Sequence, residues 1–188
     1  MQLRVAFVGA HSTGKSTLLA ECKKRFGDRL YPIENIARTL IARGLPMGDK
    51  ATVQTLLEYV QVQLTTEQRA PKADLIVSDR TCIDSFAYAK ANADFGLPSA
   101  VPEYMIKALR AIALRESDYY HLHVYFPIEF PIEFDPVRPG GGEEYRKVVD
   151  QHIATFLKAN SICYHSSTGD VSNRAATLFR ELAIQGVA

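Results

Sequence analysis

The run Gly9-Ala10-His11-Ser12-Thr13-Gly14-Lys15-Ser16 fits the pattern G-x-x-x-x-G-K-[ST] at every fixed position. Glycines at its ends let consecutive backbone N–H groups turn into one concavity, which is what a chain of phosphates needs. Lys15 adds a positive charge that reaches the β- and γ-phosphates, and the Ser16 hydroxyl is a ligand for Mg²⁺. ATP and Mg²⁺ are therefore the expected ligands. Gly9, His11, Ser12, Thr13, Gly14, Lys15, Ser16 and Thr17 are the expected binding residues, with His11 shaping the cradle and Thr17 capping or packing more than touching phosphate.

Further chemistry sits where other short apolar runs end. Glu34 follows Leu30–Ile33, and a carboxylate there can face the γ-phosphate and take the proton of an acceptor hydroxyl; a helix first turn would also favour it. Arg38, one turn on, is a candidate for substrate contact. Asp79 and Arg80 close the run Leu75–Ser78: Asp79 is placed to hold Mg²⁺ with Ser16, and Arg80 to meet a phosphate or orient the base. Asp84 suits a substrate hydroxyl or a helix cap equally. Arg138 and Arg146 flank Gly140-Gly141-Gly142, so the segment from about 127 to 147 is expected to be a hinged lid that brings positive charge and excludes water. It contains a tandem tetrapeptide, Pro127-Ile-Glu-Phe130 and Pro131-Ile-Glu-Phe134. Arg174 is expected to stack on adenine.

These residues need a scaffold that brings strand ends together. Leu3–Val8 is almost wholly apolar, the mark of a strand buried on both faces. Further strands are expected at 30–33, 75–78, 122–126 and 162–165, and helices at 15–26, 36–43, 53–69, 84–93, 102–115, 148–157 and 172–183. Val53, Leu56, Leu57, Val60 and Leu64 supply the apolar spacing of the third helix. Strands alternating with helices predict a doubly wound α/β fold with a five-stranded parallel sheet, a single domain over 1–188, and ligands at the carboxyl ends of the strands.

Composition narrows the classes. The 188 residues are 47% hydrophobic and 23% charged, with 22 Lys and Arg against 21 Asp and Glu, so no general electrostatic footprint for nucleic acid exists. Cys22, Cys82 and Cys163 are few, odd in number and without metal-ligand spacing, which fits a cytoplasmic chain. Met1–Ala10 reads as a strand rather than a signal peptide, and no apolar run is long enough to span a membrane. No N-K-x-D tetrapeptide is present, which argues against a GTPase.

Gly9–Thr17, Glu34, Asp79-Arg80 and the Arg-bearing lid together resemble the P-loop kinases of nucleosides and nucleotides. The likeness is to the small AAA-type ATPase/kinase domains grouped with ribosylnicotinamide kinase, and it implies the three-layer α/β/α P-loop NTPase fold. In deoxynucleoside kinases a Glu after strand two is the base and a Glu-Arg pair ends strand three. Asp79-Arg80 is closer to the thymidylate kinase pattern. A group of phage kinases that phosphorylate 5-hydroxymethyluracil in DNA is similar in size and loop; for it, Arg38, Arg43, Arg80, Lys90, Lys107, Arg110 and Arg115 would have to form a local basic groove, in a host cytoplasm. The expected activity is transfer of the γ-phosphoryl group of ATP to a hydroxyl of a nucleoside- or nucleotide-like molecule. The alternatives are the same chemistry on a modified base in DNA, and an ATP-hydrolysing switch.

Overall fold

Every residue of β1 (Leu3–Val8) except Arg4 is buried, as a strand covered on both faces requires. A computed structural model of the chain describes residues 2–97, 100–132 and 141–187. After β1 come α1 (Lys15–Phe26), β2 (Leu30–Ile33), α2 (Ile36–Ala42), α3 (Val53–Gln68), β3 (Leu75–Asp79) and α4 (Cys82–Asp94). The chain continues through α5 (Glu103–Ser117), β4 (Leu122–Tyr125), α6 (Gly142–Ala159), β5 (Tyr164–Ser166) and α7 (Val171–Ile184).

The five strands form one parallel sheet in the order β2-β3-β1-β4-β5. Leu3, Val5 and Phe7 pack with Leu18, Leu19 and Cys22 of α1 and Leu178 and Leu182 of α7. Ala6 and Val8 face the opposite layer, with Leu56, Phe86, Ile106 and Ile153 from α3 to α6. The result is the three-layer doubly wound architecture, with β1 flanked by β3 and β4 so that the crevice for ligands opens beyond Val8. In register, Ile33 lies opposite Ser78, Phe7 opposite Asp79 and Val8 opposite Tyr125. Glu34, Asp79 and Gly9 therefore emerge at one end of the sheet.

Three elements differ from expectation. The buried face of α3 is Thr55, Leu56, Tyr59, Val60, Gln63 and Glu67, while Val53 and Leu57 are exposed; three polar side chains share the inward face, and apolar spacing alone rotated it. Helix α6 begins six residues early, because Glu143 and Glu144 favour its N-terminal dipole and Tyr145 and Arg146 are buried. The end of the expected lid is thus helix, and 133–140, including Arg138, lie outside the described residues. Strand β5 starts two residues late because Ile162 N–H bonds back to Leu157 O and closes α6, with Ser161 in the left-handed region at φ 54°. The three cysteines are free. No helix among the described residues is long and apolar enough to cross a membrane.

Candidate active site

The turn from β1 into α1 is tight at both ends. A Cβ at Gly9 would lie 2.7 Å from Phe126 O, and one at Gly14 3.0 Å from Arg174 Nη1, with Gly14 at φ 89°. Only glycine fits either position without displacing backbone or a buried cation. Lys15 Nζ folds into the loop, donating to Gly9 O at 2.8 Å, to Thr13 Oγ1 at 3.0 Å and to Ala10 O. Thr13 Oγ1 in turn donates to Ala10 O at 2.9 Å. The backbone N–H of His11 donates to the Tyr88 hydroxyl at 3.1 Å, and His11 Nδ1 shares a hydrogen bond with the same oxygen. His11 thus fastens the loop to α4. Thr17 is exposed on the first turn of α1.

Ser16 Oγ donates to Asp79 Oδ2 at 2.8 Å, joining the first turn of α1 to the end of β3. The other oxygen, Asp79 Oδ1, is buried and has no hydrogen-bond partner. A hydroxyl beside a carboxylate with an unspent lone pair is a hard-oxygen donor set, and it fits Mg²⁺. Ser16 and Asp79 are the residues that would hold it.

Glu34, just past β2, is a quarter exposed and ion-paired with Lys23 of α1. Register sets it beside Asp79 on the next strand. Arg38 is exposed on the first turn of α2. Arg80 takes φ 85°, a left-handed conformation in a non-glycine residue, while its N–H bonds Phe7 O at 3.0 Å. Its side chain is nearly enclosed, 3.5 Å from Asp84 Oδ1 and 5.4 Å from the Tyr88 ring centroid. Burial works against the charge, but Tyr88, Asp84, Tyr59 and Asp79 hold the Arg80 pKa above the ordinary arginine value. Tyr59 lies on the inward stripe of α3 as an apparent core residue, and its place beside Arg80 is visible only in three dimensions.

Asp84 requires a correction. It is 2% exposed. Its Oδ2 accepts from Thr81 N–H at 2.9 Å in a capping box, and its Oδ1 from Gly9 N–H at 3.3 Å and Arg80 at 3.5 Å. Both oxygens are committed, so Asp84 caps α4 and tethers the phosphate loop instead of meeting substrate. Burial raises its pKa, opposed mainly by Arg80 and Lys15.

Arg174 is corrected for the same reason. Its guanidinium is 2% exposed, donating from Nη1 to Thr13 O at 2.7 Å, from Nε to Gly169 O at 2.8 Å and from Nη2 to Glu129 at 2.5 Å. It joins the phosphate loop, the turn before α7 and the first tetrapeptide copy, and has no face left for adenine. Arg146, on the first turns of α6, is fully buried; Nη2 donates to Phe130 O, while Nε and Nη1 have no hydrogen-bond partner. One turn on, burial raises the Asp150 pKa against the pull of Tyr125, Lys15 and Arg146, and Asp150 Oδ1 is buried with no hydrogen-bond partner. Asp150, Glu129 and Lys23 carried no sequence signal beyond their charge.

Four members of the basic stripe are already engaged within the fold: Arg80 is enclosed, Lys90 pairs with Asp94, Arg110 donates to Asn160 and Arg115 pairs with Glu116.

Known proteins agree with the architecture. The chain is similar to deoxyadenosine kinase from M. mycoides, with 16% identity, a TM-score of 0.70 and coverage of 96% of this chain and 98% of that one. It is similar to thymidylate kinase from Candida albicans, at 14% identity and TM-score 0.67 over 98% of this chain and 92% of that one. It also matches half of a NadR protein, over 100% of this chain and 50% of that one, at 18% identity and TM-score 0.74. In sequence it is 30% identical over 120 residues to a cytidylate kinase of Sinorhizobium medicae (strain WSM419), over 62% of this chain and 50% of that relative, so it spans about half that protein's length. The profile of the AAA domain family matches residues 4–174. With the loop of that span folded as a phosphate cradle at the head of a parallel sheet, the chain belongs to the AAA domain family.

Proposed function

We propose that the chain is a phosphotransferase that moves the γ-phosphoryl group of ATP to a hydroxyl of a nucleoside- or nucleotide-like small molecule. The observation that carries this reading is the Ser16–Asp79 bond, with Asp79 Oδ1 unspent, beside the Lys15 cradle and one strand from the Glu34 carboxylate. The kinases to which the chain is similar support the same class.

In the reaction, the loop N–H groups and Lys15 bind the phosphates; Lys15 exchanges its bonds to loop carbonyls for bonds to phosphate oxygens. Mg²⁺ held by Ser16 and Asp79 would neutralise phosphate charge when bound. Glu34 accepts a hydrogen bond from the acceptor hydroxyl and takes its proton at a carboxylate oxygen, while Lys23 keeps the carboxylate oriented. Arg80, fixed by Asp84 and the Tyr88 ring, orients the acceptor. Arg146 Nε, a buried donor without a hydrogen-bond partner, is available to charge that builds on the transferred group. A carboxylate base suits an alcohol, whereas a phosphate acceptor needs none, so Glu34 favours a hydroxyl.

Incubation with γ-labelled ATP and a panel of nucleosides and nucleoside monophosphates tests the proposal. Label on an acceptor is the expected result. Label released only as inorganic phosphate would identify a hydrolysing switch and overturn it.

A further inference from the structure

With Arg174 withdrawn beneath the loop, the exposed group at that corner is the ring it supports. Phe130 is 39% exposed, one of three solvent-facing aromatic rings among the described residues, with Phe95 and Tyr104, and the one of these that the structure sets against the loop. Arg174 Cζ lies 4.8 Å from its centroid and 5.7 Å from that of Phe126, which in turn is 5.0 Å from Phe7 of β1. The ring is thus backed by a cation and anchored through it to the core. A Cβ at Gly14 would be 3.8 Å from Phe130 Cε2, so the ring borders the end of the phosphate loop that opens α1. Its backbone is fixed as well: Phe130 O accepts from Arg146 Nη2, and the neighbouring Glu129 accepts from Arg174 and from Gly169 N–H at 2.9 Å.

A rigid, solvent-facing aromatic ring beside a phosphate cradle has one evident use. We propose that Phe130 is the residue on which the nucleobase of the bound nucleoside triphosphate stacks, with Arg174 and Arg146 as the positioning residues that hold the ring in place. This rests on the nucleotide-binding reading above and adds the subsite that takes the base. A π-face accepts any purine, so the platform supplies affinity without choosing between ATP and GTP.

Equilibrium binding of ATP, GTP and inorganic triphosphate to the full chain separates base from phosphate. Phe130→Ala is expected to weaken ATP and GTP about 10-fold or more, the size of one lost base–aromatic stack, and to leave inorganic triphosphate unchanged. Phe130→Leu keeps apolar bulk but no π-face and is expected to behave as Phe130→Ala. The chain has no tryptophan, so Phe130→Trp places a single fluorophore at the site; its emission should be quenched by ATP and not by triphosphate. Equal losses for all three ligands, or no loss for any, would overturn the stacking role, as would the same emission change with ATP and triphosphate. If the wild-type chain binds neither ATP nor triphosphate, the nucleotide reading itself fails and this proposal falls with it.

Discussion

The two ends of the sheet handle polar groups in opposite ways. Near the start of β1, Arg4 lies 3.9 Å over the Tyr119 ring, the Tyr119 hydroxyl donates to Glu67 O at 2.6 Å, and both Tyr120 and Gln63 donate to Glu67 Oε1. Groups from β1, α3 and the turn before β4 bond one another there in a buried cluster that leaves Gln63 Oε1 without a hydrogen-bond partner. At the carboxyl end, Asp79 Oδ1, Asp150 Oδ1 and two Arg146 donors are buried with no hydrogen-bond partner among the described residues, although Arg146 Nη1 lies 3.7 Å from Glu143. Left-handed non-glycine residues gather at the same end: Ser12, Asn35 and Arg80 each lie in the connection after a strand, the remaining one among the described residues being Ser161. Strained backbone and unspent polar atoms cost stability and persist where surrounding structure holds them for chemistry. The first end has the character of scaffold, and the second is the end proposed above as the site.

Substitutions should separate the ends. The largest effect belongs to Lys15→Met, expected to lower kcat/KM for transfer on the order of 1,000-fold through loss of phosphate stabilisation, read by the label-transfer assay. Glu34→Gln should lower kcat about 100-fold or more while ATP affinity, measured by calorimetry, stays unchanged. At the scaffold end the readout is reversed: Tyr120→Phe strips a donor from buried Glu67 and should cost about 1–3 kcal/mol in denaturant unfolding, with kcat unaltered. The smallest effect is one of pH. Burial pushes the His123 pKa down to about 4, below the unfolded value of about 6.5. The unfolded chain therefore binds the proton first, and stability falls as pH drops from about 6.5 towards 4. At pH 5.5 the loss is about 1 kcal/mol, and His123→Phe should flatten that slope.

Residue type and spacing revealed what depends on local chain order. The phosphate loop is legible because its geometry is made by consecutive residues. The strand end carrying Asp79 and Arg80 is legible because a doubly buried strand reads as an apolar run that stops where the sheet ends, and Glu34 follows a shorter run on the edge strand β2. What escaped depends on partners distant in sequence. Asp84 and Arg174 are charged residues near the loop, and only their hydrogen bonds to Gly9 N–H and Thr13 O show that they are supports. The start of α6 was hidden because Arg146, a polar residue, occupies a fully buried position. Phe130 sat inside a tandem repeat with no chemical signal of its own, and only its contacts with Arg174 and Arg146 give it a fixed place.

The central claim is that Ser16 and Asp79 form the floor of a phosphoryl-transfer site. Its most direct test is label transfer by the wild type and Asp79→Asn at saturating ATP, alongside their melting temperatures. The amide oxygen can still accept from Ser16 Oγ while the charge is lost, so transfer should fall about 100-fold or more, with melting lowered only slightly by loss of a carboxylate beside Arg80. Undiminished transfer by Asp79→Asn would contradict it.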